Sequence, residues 1–395
     1  MIKKYPKVRS RNGLFTYRYD VTDPTTGKRV QKETISYPTA KKAYEAGLII
    51  EHKLRTGGYI DETNLTISEW ADKWIEIYKV SGRVKPRTVD IRRESLQRIK
   101  NKIGGIKLRD LSTLQYQTML NDLKDQGYSY STISLAHVAV QLMYKTALQL
   151  EVIETDPTER AEMPVFEITV QELENGGELP KYLEKEELGL FLRTAMGEGD
   201  VQRFHALFTL SYTGLRIGEL CALKTSDIDY VNKKISITKT LYHPEGIEKY
   251  ILGTPKTKSS IRKVDIGDSV IKILKKQEAW RNEFKMSRRH EYYEKEEFVF
   301  VNDRKLPGMP ISPIRLAEYM KKIIREANLP ETITPHSLRH TYTSLMAEAG
   351  VELPAIQKLL GHKKNQITEV VYLHVTKSKR REAVDKLDAL MDGLI

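Results

Sequence analysis

Thr213-Gly214-Leu215-Arg216-Ile217-Gly218-Glu219-Leu220 follows directly on an apolar run from Phe204 to Tyr212. The run predicts a helix, Gly214 permits a sharp turn after it, and a new helix is expected to start near Arg216. The first N–H groups of that helix and the arginine would point at one place, which suits a phosphate. Glu219 stands three residues on, on the same helical face, where it could hold the guanidinium. The same pair also reads as an ordinary surface ion pair, and this stretch alone does not separate the two.

Downstream, four further segments carry polar residues in similar settings. Ile235 to Thr238 and Lys249 to Leu252 read as a strand pair, followed by Pro255-Lys256-Thr257-Lys258-Ser259-Ser260 and a strand from Ile261 to Ile266. Lys256 is expected at a hairpin tip, as a solubilising charge or as a proton donor to a leaving oxygen at a DNA backbone. In Thr334-Pro335-His336-Ser337-Leu338-Arg339-His340-Thr341, Thr334 suits an N-cap and Pro335 a first helical residue. His336 and Arg339 share a face of that helix, and His340 competes for it. Gly350 is placed to end the helix. In Ala355 to Lys363, Gly361 would terminate a short helix and present His362 just beyond it. Thr368 to Val375 reads as a short helix carrying Tyr372 among apolar neighbours. The chain has 21 tyrosines, so Tyr372 needs its context to stand out.

The chain around these segments has 395 residues, 40% of them hydrophobic, and a formal net charge of +12. That length suits two or three domains, and that charge favours a polyanionic partner, nucleic acid or an acidic membrane face. No run of about 18 apolar residues offers a membrane span. Basic Met1 to Pro6 is followed by no apolar stretch, so it is not read as a signal peptide. Cys221, the only cysteine, lies in an apolar run, excludes an internal disulfide and reads as a small core residue. A cytoplasmic protein is expected.

The expected fold is multidomain α+β. Residues 1–62 read as a small basic β-sheet with one helix. Thirteen Lys and Arg against five acids fall in residues 1–60, an excess of +8. Leu14 to Val21 alternates as a strand, Arg29 to Ser36 is its return, and a helix runs from about Thr39 to Arg55. Such a sheet could enter a DNA groove, or it could be a solvated positive face. Residues 63–166 read as all helix, with Ile67, Trp70, Ala71, Trp74, Ile75 and Tyr78 at helical spacing. Further helices are expected from Pro86 to Lys102, Ser112 to Gln126 and Ser131 to Leu150. Residues 167–180, acidic and containing Asn175-Gly176-Gly177, read as a linker. Residues 181–395 read as a mixed, mainly α domain with a small sheet. At its end Ala383, Val384, Leu387, Leu390, Met391, Leu394 and Ile395 share one helical face, fit either to cap this domain or to dock on a neighbouring subunit.

Taken in order, the five polar segments resemble the catalytic domain of the tyrosine recombinase (phage integrase) family. The strings that carry the resemblance are Thr213 to Glu219, Pro255-Lys256-Thr257 before a basic strand, His336-Ser337-Leu338-Arg339-His340, Leu359-Leu360-Gly361-His362 and Val371-Tyr372-Leu373-His374. The likeness covers about the last 210 residues strongly. The helical middle is similar to the family's SAM-like core-site-binding domain. The basic start is similar to the arm-binding sheet of lambda-like and conjugative-transposon integrases.

The resemblance implies that Tyr372 attacks a DNA phosphate, that Arg216 and Arg339 clamp its non-bridging oxygens, and that Lys256 protonates the departing 5′ oxygen. It implies that His336 assists proton transfer and His362 donates a hydrogen bond to the phosphate. Double-stranded DNA with core and arm sites, a homotetramer on DNA, an excisionase and a host DNA-bending protein are the partners it implies, in a bacterial, nucleoid-associated setting. The chemistry is coherent without metal or cofactor. Phosphoryl transfer needs positioning and charge stabilisation, no clustered carboxylates accompany the motifs, and no Gly-x-x-x-x-Gly-Lys-Ser/Thr string is present. A type IB topoisomerase would share the chemistry, and a non-catalytic DNA-binding regulator would share the charge. The first would not exchange partners between two sites, and the second would not form a covalent intermediate.

Overall fold

The computed structural model describes residues 5–22, 28–34, 36–56, 65–82, 84–166, 181–255, 260–361, 366–376 and 391. The stretch read as a linker, Lys256, His362 and, Met391 aside, the C-terminal apolar face lie outside the described residues. The chain divides into two compact units, Met1–Glu167 and Ile168–Ile395.

The first unit contains two separate apolar cores. Strands β1 (Val8–Arg11), β2 (Leu14–Thr22) and β3 (Arg29–Glu33) form an antiparallel sheet in that order, and helix α1 (Ala40–Thr56) covers one face. Alternation along β2 turns Tyr17 and Tyr19 inward, while Arg18 between them faces outward and pairs with Glu33. Asn12 and Gly13, both at positive φ, close the turn between β1 and β2. Helix α1 lies so close to the sheet that a Cβ on Gly47 would stand 2.1 Å from the Tyr17 ring.

Helices α2 (Ile67–Val80), α3 (Pro86–Ile103), α4 (Thr113–Asp125) and α5 (Tyr130–Gln149) enclose the second core. Thr66 with Glu69, and Ser112 with Gln115, form reciprocal caps that fix two of the helix starts. The indole N–H groups of Trp70 and Trp74 donate to the Met143 carbonyl (3.3 Å) and to Thr146 Oγ1 (2.9 Å), pinning α2 to α5. Their polar edges are thus satisfied inside an apolar core.

The second unit is mainly helical: α6 (Lys185–Gly197), α7 (Val201–Thr213), α8 (Ile217–Cys221), α9 (Asp268–Ser287), α10 (Pro313–Glu326), α11 (Pro335–Glu348), α12 (Leu353–Leu360) and α13 (Gln366–Val375). Helix α7 is the hub, packed by α6, α9 and α11. Its buried hydroxyls return to the helix itself: Thr209 donates to the His205 carbonyl (2.8 Å), Ser211 to Leu207 (2.9 Å) and Thr213 to Thr209 (2.6 Å). Buried Gln202 holds Val301 through both its amide groups, and Gln277 bridges Gln202 to the Val299 carbonyl.

Two small antiparallel sheets flank the hub, β4 (Ile228–Asp229)–β5 (Lys234–Ile237)–β8 (Arg262–Asp265) and β6 (Thr240–Tyr242)–β7 (Ile251–Gly253). This corrects the expected strand pairing. The strand near Ile235 pairs with β4 and β8, and the strand near Lys249 pairs with β6, so the two are not partners. Strands β7 and β8, which flank Lys256 in the sequence, belong to different sheets. The extra strand β6 stands beside β7, in the place expected for the strand near Ile235.

Gly214 ends α7 in the left-handed region, at φ 60°. A Cβ there would lie 2.7 Å from Tyr342 Cδ1 and 2.9 Å from Leu360 Cδ2. Gly214→Ala therefore combines backbone strain with overpacking and is expected to cost about 2–4 kcal/mol. Urea titration of the wild-type and Ala proteins checks this, and an unshifted midpoint contradicts it.

Candidate active site

Arg216 occupies the N-cap of α8 in extended conformation, and its backbone N–H donates to Glu219 Oε2 (3.0 Å). Its Nη1 donates to Glu219 Oε1 (2.8 Å). The alternative of a surface ion pair is resolved by burial, since the Glu219 side chain is 2% exposed. Arg262 on β8 grips the same carboxylate from the other side, with Nη2 on Oε2 (3.0 Å) and Nη1 on Oε1 (3.3 Å). Burial works to raise the Glu219 pKa. The hydrogen bonds and charge of Arg262, then those of Arg216, hold it below the ordinary carboxylate range.

Arg339, at the start of the second turn of α11, is fully buried. Its Nη1 donates to the Gly214 carbonyl (2.6 Å) and its Nη2 to the Leu360 carbonyl (2.5 Å). One guanidinium thus joins the α7–α8 turn to the end of α12. Burial, then the charges of Arg216 and Arg262, pull its pKa down to about 9, and Glu219 opposes them more weakly. Arg339 stays cationic at neutral pH. Arginines crowded this closely create a field that favours an anion.

His336 stands one helical turn from His340, their rings edge to face at 4.8 Å. Burial, then the charges of Arg339 and Arg216, depress the His336 pKa. Burial, then His336 and Arg339, lower His340 to about 4. Both rings are neutral at pH 7.

The pH dependence of stability follows. His340 has an ordinary value of 6.5, so the unfolded chain takes up its proton before the folded one. The stability carried by the neutral ring is complete above about pH 6.5 and is lost as pH falls toward about 4. His137, His205 and His336 shift in the same direction. Thermal melts from neutral pH downward are expected to show Tm falling through this window, and a flat profile contradicts the assignment.

Tyr372 lies on α13, which packs against α11 and α12. It is half-buried against the cluster of Tyr342, Ala347, Ile356 and Leu360. Its carbonyl accepts from the Thr376 amide (3.0 Å) and from Thr376 Oγ1 (2.8 Å). The structure therefore gathers Arg216, His336 and Arg339 into one electrostatic cluster and sets Tyr372 on a helix packed against the one that bears His336 and Arg339. Lys256 and His362 lie outside the described residues, though their neighbours do not: Pro255 and Ser260 flank the first, and Gly361 precedes the second. His374 is exposed near the end of α13.

Arg262 was not singled out by its sequence. The available signal was its register, since it shares a strand face with Val264 and Ile266, both buried. Among the described residues no three His, Cys, Asp or Glu side chains gather as a metal site, and no helix is long and apolar enough to cross a membrane.

Comparison with known proteins agrees with this geometry. Residues 181–379 match the model of the phage integrase family, and residues 66–124 match the phage integrase N-terminal SAM-like domain. A protein named tyrosine recombinase XerC-like, from Caldanaerobacter subterraneus subsp. tengcongensis, is 30% identical over 96% of this chain and 97% of its own length. The prophage ps2 probable integrase of Lactococcus lactis is 29% identical over 95% of this chain and 97% of its own. The structure of the Tn1549 transposon integrase in complex with transposon right end DNA superposes with a TM-score of 0.61 at 25% identity, covering 82% of this chain and 100% of that one. The chain belongs to the phage integrase family of tyrosine recombinases. Its activity is that of a DNA strand transferase, acting in site-specific recombination.

Proposed function

We propose that the protein integrates and excises a mobile DNA element, cutting and rejoining strands through a 3′-phosphotyrosine bond to Tyr372. The observation that carries the reading is Arg339, buried between the Gly214 and Leu360 carbonyls beside Arg216, on the helix against which Tyr372's helix packs.

In this reading Arg216 and Arg339 bind the non-bridging oxygens of the scissile phosphate. Pre-aimed cations in a partly dry site stabilise charge developing at those oxygens. A free phenol has a pKa near 10 and is a poor nucleophile until its proton is removed. Neutral His336 accepts that proton as Tyr372 Oη bonds to phosphorus. The 5′ oxygen leaves and takes a proton from Lys256, while His362 donates a hydrogen bond to the phosphate. The phosphotyrosine keeps the energy of the broken phosphodiester, so a 5′ hydroxyl from another duplex reseals the strand in reverse order.

The domain roles follow the sequence expectation: residues 1–62 bind arm-type DNA, 63–166 bind the core site, 167–180 link them to the catalytic domain, and 181–395 carry the chemistry. Assembly as a tetramer on double-stranded DNA, with an excisionase and a host bending protein setting direction, belongs to the same proposal. So does a cytoplasmic, nucleoid-associated location.

The test is covalent trapping. Purified protein in chelator is incubated with nicked duplexes tiling the DNA on both sides of its gene. A protein–DNA adduct that survives denaturant is expected on a subset of them. Absence of any adduct across the tiled set overturns the proposal. Recombinant joints formed from two trapping duplexes separate a recombinase from a topoisomerase of the same chemistry.

A further inference from the structure

We propose that Arg262 is a positioning residue for the phosphate pocket, acting through Glu219 on Arg216 and through the Leu359 carbonyl on the segment that leads into His362. The inference rests on the recombinase reading above and adds to it a residue outside the set of six.

Arg262 sits on the inward face of β8, where its side chain is 5% exposed. A guanidinium in such a place has lost its hydration and must replace it with protein acceptors. It finds them on three different segments. Nη1 and Nη2 grip the Glu219 carboxylate on α8, Nε donates to the Leu359 carbonyl near the end of α12 (2.9 Å), and Nη1 also reaches the Ser260 carbonyl (3.2 Å).

Two consequences bear on the pocket. The first is geometric. Each Glu219 oxygen is shared, Oε1 between the side chains of Arg216 and Arg262, and Oε2 between the Arg216 backbone amide and Arg262. A carboxylate held at both oxygens from two sides cannot turn, so the Arg216 head it binds is fixed as well. The neighbouring Leu360 carbonyl is held by Arg339. Two successive carbonyls at the end of α12 are thus gripped by arginines from different elements, immediately before Gly361 and His362. Ser260 likewise borders the segment that carries Lys256.

The second consequence is electrostatic. Glu219 facing Arg216 alone would cancel its charge. With Arg262 present, the three groups keep one positive charge between them, and Arg216 retains its pull on a phosphate. A purely structural role for the Arg262–Glu219 pair predicts neither effect on the reacting phosphate.

The experiment compares full-length wild-type, Arg262→Gln and Arg262→Lys proteins on two substrates. One is the nicked duplex on which wild-type protein forms its adduct. The other is the same duplex with a methylphosphonate at the phosphate attacked, which removes the negative charge that the arginines answer. Misplacing a catalytic group by a fraction of its contact distance costs on the order of 10²-fold in rate. Arg262→Gln is expected to form adduct about 10²-fold more slowly than wild type on the phosphodiester, yet within a few-fold of it on the methylphosphonate. Arg262→Lys keeps the charge and so guards against loss of the fold. It is expected to show the same selectivity with a smaller loss, about 10-fold. Equal slowing of a variant on both duplexes, or a wild-type rate from Arg262→Gln on the phosphodiester, overturns the inference. Failure of wild-type protein to form adduct on either duplex defeats the recombinase reading itself, and the inference with it.

Discussion

Tyr372→Phe is expected to abolish covalent attachment to DNA while leaving the fold and non-covalent binding as they are. The ring packs against Tyr342, Ala347, Ile356 and Leu360, and phenylalanine keeps those contacts. The hydrogen bonds that Tyr372 receives from Thr376 end on its main-chain carbonyl, so they survive as well. Only the phenolic oxygen is lost. The change in stability is expected to stay within about 0.5 kcal/mol. The rate of adduct formation is expected to fall on the order of 10⁶-fold, as when a catalytic nucleophile is removed outright. Denaturing gels of end-labelled nicked duplex read the adduct directly, and mobility shift reads the binding. A persistent adduct would place the nucleophile on another of the 21 tyrosines.

Arg339→Ala carries the second large effect, and it acts on two quantities at once. The lost clamp on a non-bridging oxygen is expected to slow adduct formation on the order of 10²–10³-fold. The same truncation leaves the Gly214 and Leu360 carbonyls without their donor in a buried setting, at roughly 1–3 kcal/mol each. Urea titration is expected to show that loss beside the kinetic one. Arg339→Lys keeps a charge, but one ammonium cannot reproduce a planar fork spanning two carbonyls. It is expected to fall between wild type and Ala in both assays. A folded Ala variant that cleaves at the wild-type rate would remove Arg339 from the mechanism.

Much of this was legible in the amino-acid order because the signals were local. Thr334 and Pro335 announce the start of α11, Gly361 at positive φ ends α12, and the Trp70–Trp74 spacing marks the buried face of α2. Each depends on residues within a few positions of one another. What escaped depended on partners far along the chain. The pairing of β5 with β8 rather than with β7 is set by tertiary packing, which a strand pattern does not encode. Arg262 looked like one more cation in a basic strand until Glu219 and Leu359 were brought to it from 43 and 97 residues away. Strand β1 lies ahead of the strand expected from Leu14, and its local signal is Asn12-Gly13, a strong two-residue hairpin turn.

Apart from the Glu219 carboxylate, the oxygens that Arg339 and Arg262 hold belong to the main chain, at Gly214, Leu359, Leu360 and Ser260. A backbone carbonyl is supplied by any amino acid at its position. Substitutions at 359 or 360 that respect local volume therefore leave these anchor points unchanged, and the heritable instruction for this geometry is concentrated in the codons of the two arginines and of Glu219. Relatives can drift at the gripped positions other than 214 while keeping one catalytic architecture, and mutational scans of this region are expected to tolerate exchange at 359 and 360 far better than at 262 or 339.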